Sequence, residues 1–340
     1  MLIATMKHAL MITSFVFIMM LVVEYINVQS SGGWKRLFEG KRWRQYLLAA
    51  GLGALPGCLG AFTVVTLYSH GIVSFGALVA TMVTTSGDEA FVMLALMPKT
   101  AILITSILFL GALLLAYFVD SLPWKLDFRK KLDFHALPMH EEESCLCFDR
   151  SQIIPQLKSI SFHRFLLVVA VLLFGFSLVT GLLGPVEWDW KRITFLGGML
   201  VSLFIISTVP EHFLQKHLWE HLIKKHLLRI FLWTFGTLLV VNYLDQWFTI
   251  EQFIADNYFI VLLIAVGVGL IPESGPHLVF VTLFVEGSLP LSILLANSAS
   301  QDGHGTLPLL AVSKKSFFGL KIINLLFGLL LGLLGYGFGN

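Results

Sequence analysis

Residues 51–71, GLGALPGCLGAFTVVTLYSHG, return later in the chain as GVGLIPESGPHLVFVTLFVEG at residues 267–287. The alignment that places Pro56 on Pro272 also brings the VTL triplets at 65–67 and 281–283 into register. Leucines that match leucines would mean little in an apolar chain. Prolines and glycines that keep register, in contrast, indicate an internal duplication.

The duplication extends in both directions from this stretch. On the C-terminal side, the same register places Gly87 on Gly303. On the N-terminal side, a slightly longer offset aligns LVVEYIN at 21–27 with LVVNYLD at 239–245 in the first hydrophobic segment of each copy. Residues 7–118 and 225–337 are therefore predicted to be two copies of one structural unit.

The composition places both copies in a membrane. Of the 340 residues, 56% are apolar and 13% are charged, and the mean hydropathy is +0.83, which excludes an ordinary soluble domain. A net charge of +2 gives no indication of nucleic-acid binding. A membrane-spanning helix needs about 20 apolar residues. Ten hydrophobic segments of this kind are predicted, at residues 9–28, 47–69, 71–97, 100–119, 163–183, 193–209, 227–247, 258–286, 287–312 and 316–338.

The distribution of basic residues predicts the orientation of the two copies, because lysine and arginine collect on the cytoplasmic side. The loop at residues 29–46 contains five basic residues, whereas its counterpart at residues 248–256 contains only acidic charges. The copies are therefore expected to be inverted, which ten complete spans cannot achieve. One segment per copy must turn back. We expect residues 71–97 and 287–312 to form re-entrant hairpins, since a polar, glycine-containing cluster interrupts each of them.

The sequence thus predicts an all-α polytopic protein of the cell (inner) membrane, with two inverted repeats and broken helices. Three cysteines are too few for a disulfide framework. The predicted parts are transmembrane repeat 1 (1–119), a cytoplasmic linker (120–162), two connecting transmembrane helices (163–209), an amphipathic helix (210–226) and transmembrane repeat 2 (227–340).

Charged residues lie where the two expected hairpins turn. The cluster TTSGDE at residues 84–89 supplies Asp88 and Glu89, and the cluster SASQDGHG supplies Asp302 and His304. A charge at the bilayer centre costs about 2.5–3.5 kcal/mol on insertion scales, so it implies a partner, a cavity or a function. We expect these four residues to bind the substrate. The alternative is a structural clasp between an aspartate and a lysine or the backbone.

Proline and glycine also interrupt the apolar runs GALPGCLG at residues 53–60 and GLIPESGPH at residues 269–277. Such breaks free backbone carbonyls. Glu273 and His277, four residues apart, are predicted to be the next ligands. Carboxylates, imidazoles and carbonyls suit Mn²⁺ or another divalent first-row ion, and they also suit a proton relay. The predicted helix-breaking residues are Pro56, Gly57, Gly87, Pro272, Gly275 and Gly303.

Two groups of residues outside the repeats are candidates for peripheral metal binding. In the linker, HEEESCLCFD contains His140, Cys145 and Cys147, which would bind a thiophilic ion at the cytoplasmic mouth. The alternative is a solvated acidic loop. On the amphipathic helix, His217 and His221 have the spacing of a metal-binding pair, but the helix also fits a plain membrane-surface element.

The motifs together resemble those of a known family. PEHFLQKHLWEHLIKKHLLRIFLWTFGTLLVV, with GALPGCLGAF, TSGDEAFVM, GLIPESGPH and SQDGHGTLPLLA, is similar to the ten-helix heavy-metal exporters, whose members are described as manganese transporters or arsenic-efflux proteins. The resemblance covers nearly the whole chain and implies a permease for a toxic or trace element. The central linker is poorer in histidine and cysteine than is usual for this family, which counts against the linker as a metal-binding element.

The sequence therefore predicts a secondary-active transporter that exports a divalent heavy-metal ion, Mn²⁺ first, in exchange for protons. The chain has no GxxxxGK[ST] motif or phosphorylation motif that would indicate an ATP-driven pump or an ATPase partner. The expected partners are the metal ion and membrane lipid, with no resident cofactor, and the protein is expected not to be an enzyme.

Three alternatives differ from this prediction. Half-helix N-termini at the breaks would also suit arsenite or another anion. An intramembrane metallohydrolase would use Glu273, His277 and His304 around zinc, although the chain lacks an H-E-x-x-H motif. A membrane scaffold that transports nothing would be indifferent to neutralisation of the charged tips.

Overall fold

The computed structural model describes residues 2–29, 38, 41–57, 59–122, 160–183, 188, 190–244 and 250–338. Of these residues, 85% are helical and none lies in a strand, which confirms the all-α class. Four described helices are long and apolar enough to cross a membrane, and a bent pair raises that number to five.

The helices fall into two compact units, the first formed by Met1–Gly32 with Glu141–Leu239 and the second by Gly33–His140 with Val240–Asn340. The helices are α1 (Leu2–Gln29), α2 (Arg42–Ala54), α3 (Leu59–Ser69), α4 (Phe75–Thr84), α5 (Glu89–Leu96), α6 (Pro98–Ser121), α7 (Phe162–Val179), α8 (Trp190–Thr208), a π-helix (Phe213–Leu227), α9 (Leu228–Leu244), α10 (Ile250–Asp256), α11 (Tyr258–Gly269), a 3₁₀ turn (Gly275–His277), α12 (Leu278–Val285), α13 (Leu291–Ser300), a 3₁₀ turn (Gly303–Thr306), α14 (Leu307–Val312) and α15 (Lys314–Gly337).

In the first unit, α1, α7, α8 and the π-helix pack around one apolar core. The side chain of Arg164 in α7 is 1% exposed. Its guanidinium donates to the carbonyl oxygens of Ile206 and Val209 at 3.0 and 2.8 Å, and to Glu211 at 3.0 Å. Because the last carbonyls of a helix have no partner within the helix, the buried Arg164 side chain satisfies the C-terminal end of α8.

In the second unit, the helix bounds recur in the register that places Pro56 on Pro272. The helix α4, Phe75–Thr84, corresponds to α13, Leu291–Ser300, and α6, Pro98–Ser121, corresponds to α15, Lys314–Gly337. In each half a short helix, a break and a 24-residue helix follow in the same order.

Equivalent glycines bring helices close together in both halves. A Cβ atom on Gly53 in α2 would collide with Thr84 in α4, and a Cβ atom on Gly269 in α11 would collide with Ser300 in α13. Small residues at a crossing allow backbones to approach, which is how apolar helices gain packing energy without a hydrophobic driving force. The same crossing is therefore built twice.

Hydrogen bonds at these crossings also recur. In the first half, the Thr81 hydroxyl donates to the carbonyl oxygen of Ala49 at 3.0 Å. In the second half, the Asn297 amide donates to the carbonyl oxygen of Ala265 at 2.7 Å. Both donors and both acceptors are equivalent positions in the register of the repeat.

The equivalent helices α6 and α15 meet at two places. In the middle, a Cβ atom on Gly111 would lie 2.7 Å from the ring of Phe327, its own counterpart in the repeat. At one end, Asp120 near the end of α6 and Lys314 at the start of α15 line the same groove of about 860 Å³. The two helices thus meet at equivalent residues, as they would if a local two-fold rotation related the two halves.

The chain reverses direction between α2 and α3. The reversal was expected further along the chain, within residues 71–97. A Cβ atom on Gly60 would collide with the carbonyl oxygen of Leu52. At the opposite end of the pair, the Gln45 amide donates to the carbonyl oxygen of Ile72 at 3.3 Å and accepts from the amide of Ser74 at 3.3 Å. Residues 42–69 therefore form a hairpin of two half-length helices.

The second half contains the equivalent reversal. The side-chain amide of Asn297 touches both the carbonyl oxygen of Ala265 in α11, at 2.7 Å, and Nδ1 of His277 before α12, at 3.3 Å. A continuous helix would separate residues 265 and 277 by about 18 Å at 1.5 Å per residue. A hairpin is thus formed by α11 and α12.

The expected hairpin at residues 71–97 continues forward instead. The helices α4 and α5 are bent by 41° at the break, so they keep roughly one direction, as the two parts of a broken span do. Two half-length helices and one full-length helix have the same hydropathy, so the sequence did not distinguish the segment that turns back from the one that only bends. The helix-breaking role of Pro56, Gly57 and Gly87 holds for both geometries.

The location of the reversal determines on which side of the membrane His70 and Glu286 emerge. With the basic loops in the cytoplasm, hairpins at residues 42–69 and 258–285 return His70 to the cytoplasm and Glu286 to the outside. Single cysteines, His70→Cys and Glu286→Cys, are placed in a version without native cysteines. A membrane-impermeant maleimide is expected to label position 286 in intact cells and position 70 only after the membrane is opened.

Positions 99 and 315 are suitable controls, because both hairpin assignments place the first outside and the second in the cytoplasm. Labelling of position 70, but not 286, in intact cells would restore the hairpins to residues 71–97 and 287–312.

Candidate functional site

The breaks of both halves meet in the interior of the second unit. Between α4 and α5, the carbonyl oxygen of Thr85 accepts from the side-chain amide of Gln301, which follows α13, at 3.5 Å. These two residues are themselves equivalent positions of the repeat. At the tip of the first hairpin, the amide of Gly57 donates to the carbonyl oxygen of Gly87 at 3.0 Å. Two helix breaks and a hairpin tip thus converge.

Glycine is required at the breaks for conformational reasons. Gly87 and Gly303 have φ angles of +54° and +50°, and Gly57 at the hairpin tip has a φ of +94°. A side chain at these positions would place Cβ against the following carbonyl, a strain that glycine avoids. Gly87 and Gly303 both lie between α-helices. Pro272 and Gly275 lie between α11 and α12, where the second hairpin turns.

Asp302 forms a buried ion pair. Its Oδ1 lies 2.6 Å from Nζ of Lys321 in α15 and accepts from the Thr306 hydroxyl at 3.1 Å. Lys321 also donates to the carbonyl oxygen of Gly269 at 3.4 Å, which ties the hairpin tip to the break. Asp302 is 0% exposed and Lys321 is 5% exposed. This contact is the aspartate–lysine clasp that was the alternative interpretation of the charged tips.

Lys321 was not among the predicted site residues, although the sequence contains a signal for it. It lies in the 24-residue helix α15, which is long and apolar enough to cross a membrane. An ionisable residue inside such a helix implies a partner. Its counterpart in α6 is Thr105, and the counterpart of Asp302 is Ser86, so the first half has no equivalent pair.

Glu273 and His304 are brought together. Oε1 of Glu273, in the second hairpin, lies 3.2 Å from Nε2 of His304, in the break that follows α13. The two side chains are 26% and 13% exposed. This pair lies closer to the surface than the other candidates, and it joins the hairpin tip to the break at a second point.

His277 is held in a defined orientation. The Asn297 amide nitrogen donates to Ala265, so its oxygen faces Nδ1 of His277 at 3.3 Å and accepts the Nδ1 proton. In the neutral ring, Nε2 then carries a lone pair. This Nε2 atom is buried and has no hydrogen-bond partner among the described residues.

Glu89 is the most isolated of the acidic candidates. It is 1% exposed at the start of α5, and neither carboxylate oxygen has a hydrogen-bond partner among the described residues. Asp88, the preceding residue, is 6% exposed and does have an interaction partner. A buried, unpartnered carboxylate carries a large desolvation cost, so its retention needs an explanation.

The six predicted ligands do not form one cluster. No group of three or more His, Cys, Asp or Glu side chains in the described part of the chain is arranged to hold a metal ion. Asp302 instead pairs with Lys321, Glu273 pairs with His304, and His277 bonds Asn297. Sequence reasoning missed three polar residues with buried, unpartnered atoms or structural contacts: Asn297, Ser298 and Asn324.

The peripheral candidates are not placed by the structure. His140, Cys145 and Cys147 lie outside the described residues. His217 and His221 lie on the π-helix Phe213–Leu227, but their side chains are outside the described part of the chain. Both metal-binding hypotheses for these residues remain predictions.

Helices long enough to cross a bilayer, breaks in the interior and buried ionisable groups define a polytopic membrane protein with a polar centre. The chain matches the family described as "Putative, 10TM heavy-metal exporter" over residues 1–333, and it belongs to this family. This confirms the resemblance that the sequence motifs indicated. Neither the curated proteins nor the solved structures contain a match.

The Asp302–Lys321 pair generates a stability prediction. Removal of one partner from a buried ion pair leaves an uncompensated charge and costs about 3–5 kcal/mol, whereas replacement of both by apolar groups is often neutral. Asp302→Asn and Lys321→Met are each expected to lower the thermal unfolding midpoint of the purified protein in detergent, followed by tryptophan fluorescence. The double variant Asp302→Asn with Lys321→Met is expected to recover most of the loss. Additive losses in the double variant would show that the two residues are not coupled.

Proposed function

We propose that the protein is a secondary-active transporter that exports a divalent heavy-metal ion across the cell (inner) membrane in exchange for protons. Mn²⁺ is the favoured ion. Membership of a family of heavy-metal exporters supports the export of a heavy metal. The choice of ion, the exchange for protons and the membrane are our own inferences. They follow from the kind of donor atoms that the interior contains.

One observation carries the proposal. A carboxylate and an imidazole, Glu89 and His277, are buried at the helix breaks with atoms that no described residue satisfies. A protein that used these groups only for stability would pair them, as it pairs Asp302 with Lys321. Unsatisfied anionic oxygen and imidazole nitrogen are the ligands that first-row divalent ions accept.

The internal repeat supports transport by alternating access. Secondary transporters often contain inverted repeats whose broken helices meet at the substrate site. The meeting of α6 and α15 at equivalent residues, and the contact between the equivalent residues Thr85 and Gln301, are what an inverted pair of repeats, related by a local two-fold rotation, requires. If one hairpin per half does not cross, four spans (α4–α5, α6, α7 and α8) lie between the equivalent segments α1 and α9, so α1 and α9 cross in opposite directions.

The same donor atoms would account for exchange with protons. Lone pairs on carboxylate and neutral imidazole bind either a metal ion or protons, so a metal ion that enters the site displaces protons. Asp88, Glu89, Asp302, His304, Glu273 and His277 are the residues from which we propose that the site and its approach are built. Acidification is expected to weaken metal binding.

The arsenite or anion alternative has less support. The N-terminus of α5 would attract an anion through its dipole, but Asp88 and Glu89 occupy that end. A carboxylate there repels an anion more strongly than the helix end attracts one. The hydrolase alternative would need three zinc ligands, and the description of the family as heavy-metal exporters favours transport.

The proposal is tested with purified protein in liposomes. With an outwardly directed proton gradient, the protein is expected to accumulate Mn²⁺ inside the vesicles, and collapse of the gradient with an ionophore is expected to abolish accumulation. Asp88→Asn and His304→Ala are each expected to lower the initial rate at least about tenfold, because the first removes a negative charge and the second an imidazole nitrogen from the polar centre.

Glu286→Gln provides the control, since this exposed carboxylate lies at the base of a hairpin and away from the breaks. Comparison of cellular element content with and without the protein identifies the ion. Parent-level Mn²⁺ transport by both Asp88→Asn and His304→Ala would contradict the assigned site, and an unchanged content of every heavy metal would contradict export.

A further inference from the structure

We infer that Glu89 from the first half, with His277 and Ser298 from the second, forms the ligand set for the transported divalent cation, and that the symmetry-equivalent position is closed. This inference rests on the proposed function, because it names the ion-binding groups of the same transporter. It assigns Ser298 a role as a cation ligand, which the sequence did not suggest. It also predicts that the protein binds only one ion at the helix breaks.

The placement follows from the local two-fold relation of the halves. A Cβ atom on Gly305, in the break of the second half, would lie 2.7 Å from Cβ of Ala61 and 3.4 Å from Sδ of Met82, both in the first half. In the register of the repeat, Gly305 corresponds to Glu89, Ala61 to His277 and Met82 to Ser298. The two-fold rotation therefore places the side chain of Glu89 beside those of His277 and Ser298.

Helix packing supports both members of this symmetric pair. In one, the 3₁₀ turn at Gly303–Thr306 packs against α3, which contains Ala61. In the other, α5, which begins at Glu89, packs against α12, which directly follows His277. The contact between the 3₁₀ turn and α3 agrees with the close approach of Gly305 to Ala61. The contact between α5 and α12 shows that the equivalent segments also touch.

The three side chains have in common that they are buried and unsatisfied. Glu89 is 1% exposed, and His277 and Ser298 are 0% exposed. Both carboxylate oxygens of Glu89, Nε2 of His277 and Oγ of Ser298 have no hydrogen-bond partner among the described residues. Buried polar atoms without partners are costly, so the retention of these four is explained if they bind a ligand.

The chemistry of the donors identifies the ligand as a cation. The Asn297 oxygen holds the Nδ1 proton of His277, so Nε2 presents a lone pair toward the site. A ligating histidine characteristically donates its other ring N–H to a carbonyl or carboxylate in this way. A carboxylate, an imidazole and a hydroxyl form a mixed oxygen and nitrogen set that suits Mn²⁺, Co²⁺ or Zn²⁺ rather than an anion.

The equivalent position cannot hold an ion. Gly305, Ala61 and Met82 offer neither charge nor imidazole there, and Ala61 and Met82 are both 0% exposed. A fold with near two-fold symmetry is thereby restricted to one ion site.

A proximity test needs no transport. In a version without native cysteines, with a protease site in the linker at residues 120–162, Glu89→Cys is combined with His277→Cys. Oxidation or Hg²⁺ is expected to keep the two fragments together on a denaturing gel after cleavage. Thr85→Cys with Gln301→Cys is the positive control, because these positions are in contact, and Glu89→Cys with Glu286→Cys is the negative control. Crosslinking at 85/301 without crosslinking at 89/277 would overturn the placement, as would failure of both pairs.

A binding test assigns the ligands. Co²⁺ is titrated into the purified parent protein in nanodiscs and followed by its visible absorption, which reports nitrogen coordination. The parent is expected to bind one Co²⁺. Glu89→Gln and His277→Gln, which preserve size, are expected to raise the dissociation constant about 100-fold or more, and Ser298→Ala about tenfold. Glu286→Gln is the control and should bind as the parent does.

The outcomes separate this inference from the proposed function. If the parent binds and transports a divalent metal while both Glu89→Gln and His277→Gln bind Co²⁺ like the parent, the inference is wrong and the proposed function stands. If the parent neither binds nor transports Mn²⁺, Co²⁺ or Zn²⁺, the proposed function is wrong. Two Co²⁺ per protein, both lost in Glu89→Gln, would contradict the single site.

Discussion

Backbone groups at a helix break must find partners inside the protein, because hydrocarbon supplies none. The second unit meets this constraint by bringing its breaks together. The Gly57 amide bonds the Gly87 carbonyl across a hairpin tip and a break, and the Gln301 side chain bonds the Thr85 carbonyl across the two halves. The breaks therefore determine the packing of the hairpins and the crossing of the helices. They also create the interior in which ionisable groups can be retained.

The sequence predicted the parts of this arrangement that depend on local chemistry. Proline and glycine in register marked the breaks, and the internal repeat located equivalent helices. The segment that reverses was assigned wrongly, because a hydropathy window does not distinguish two antiparallel half-length helices from one full-length helix. The information that decides between them is a contact such as Gly60 with Leu52, which exists only after folding.

The candidate site shows the same division. Burial of charge at the breaks could be predicted, since ionisable residues in apolar runs are rare and imply a role. Which charges are neutralised could not be predicted, because Asp302 finds Lys321 in the last long helix through tertiary packing. The orientation of His277 by Asn297 could not be predicted either. It depends on the second hairpin, which brings Ala265 and His277 to the side chain of Asn297.

The two halves share a backbone but not their polar residues, and this difference has a physical consequence for a cation carrier. A strictly symmetric pair would place two equivalent anionic sites on either side of the axis, and two dications so close together would repel each other strongly in a medium of low dielectric constant. Substitution of glycine for the carboxylate at position 305 removes one of these sites, and the Lys321–Asp302 pair, present in the second half alone, adds no net charge. In the proposed site, the Glu89 carboxylate would offset part of the charge of one dication. Because the other proposed ligands, His277 and Ser298, belong to the other half, any motion of one half relative to the other would alter the ligand set and so link ion affinity to a conformational change.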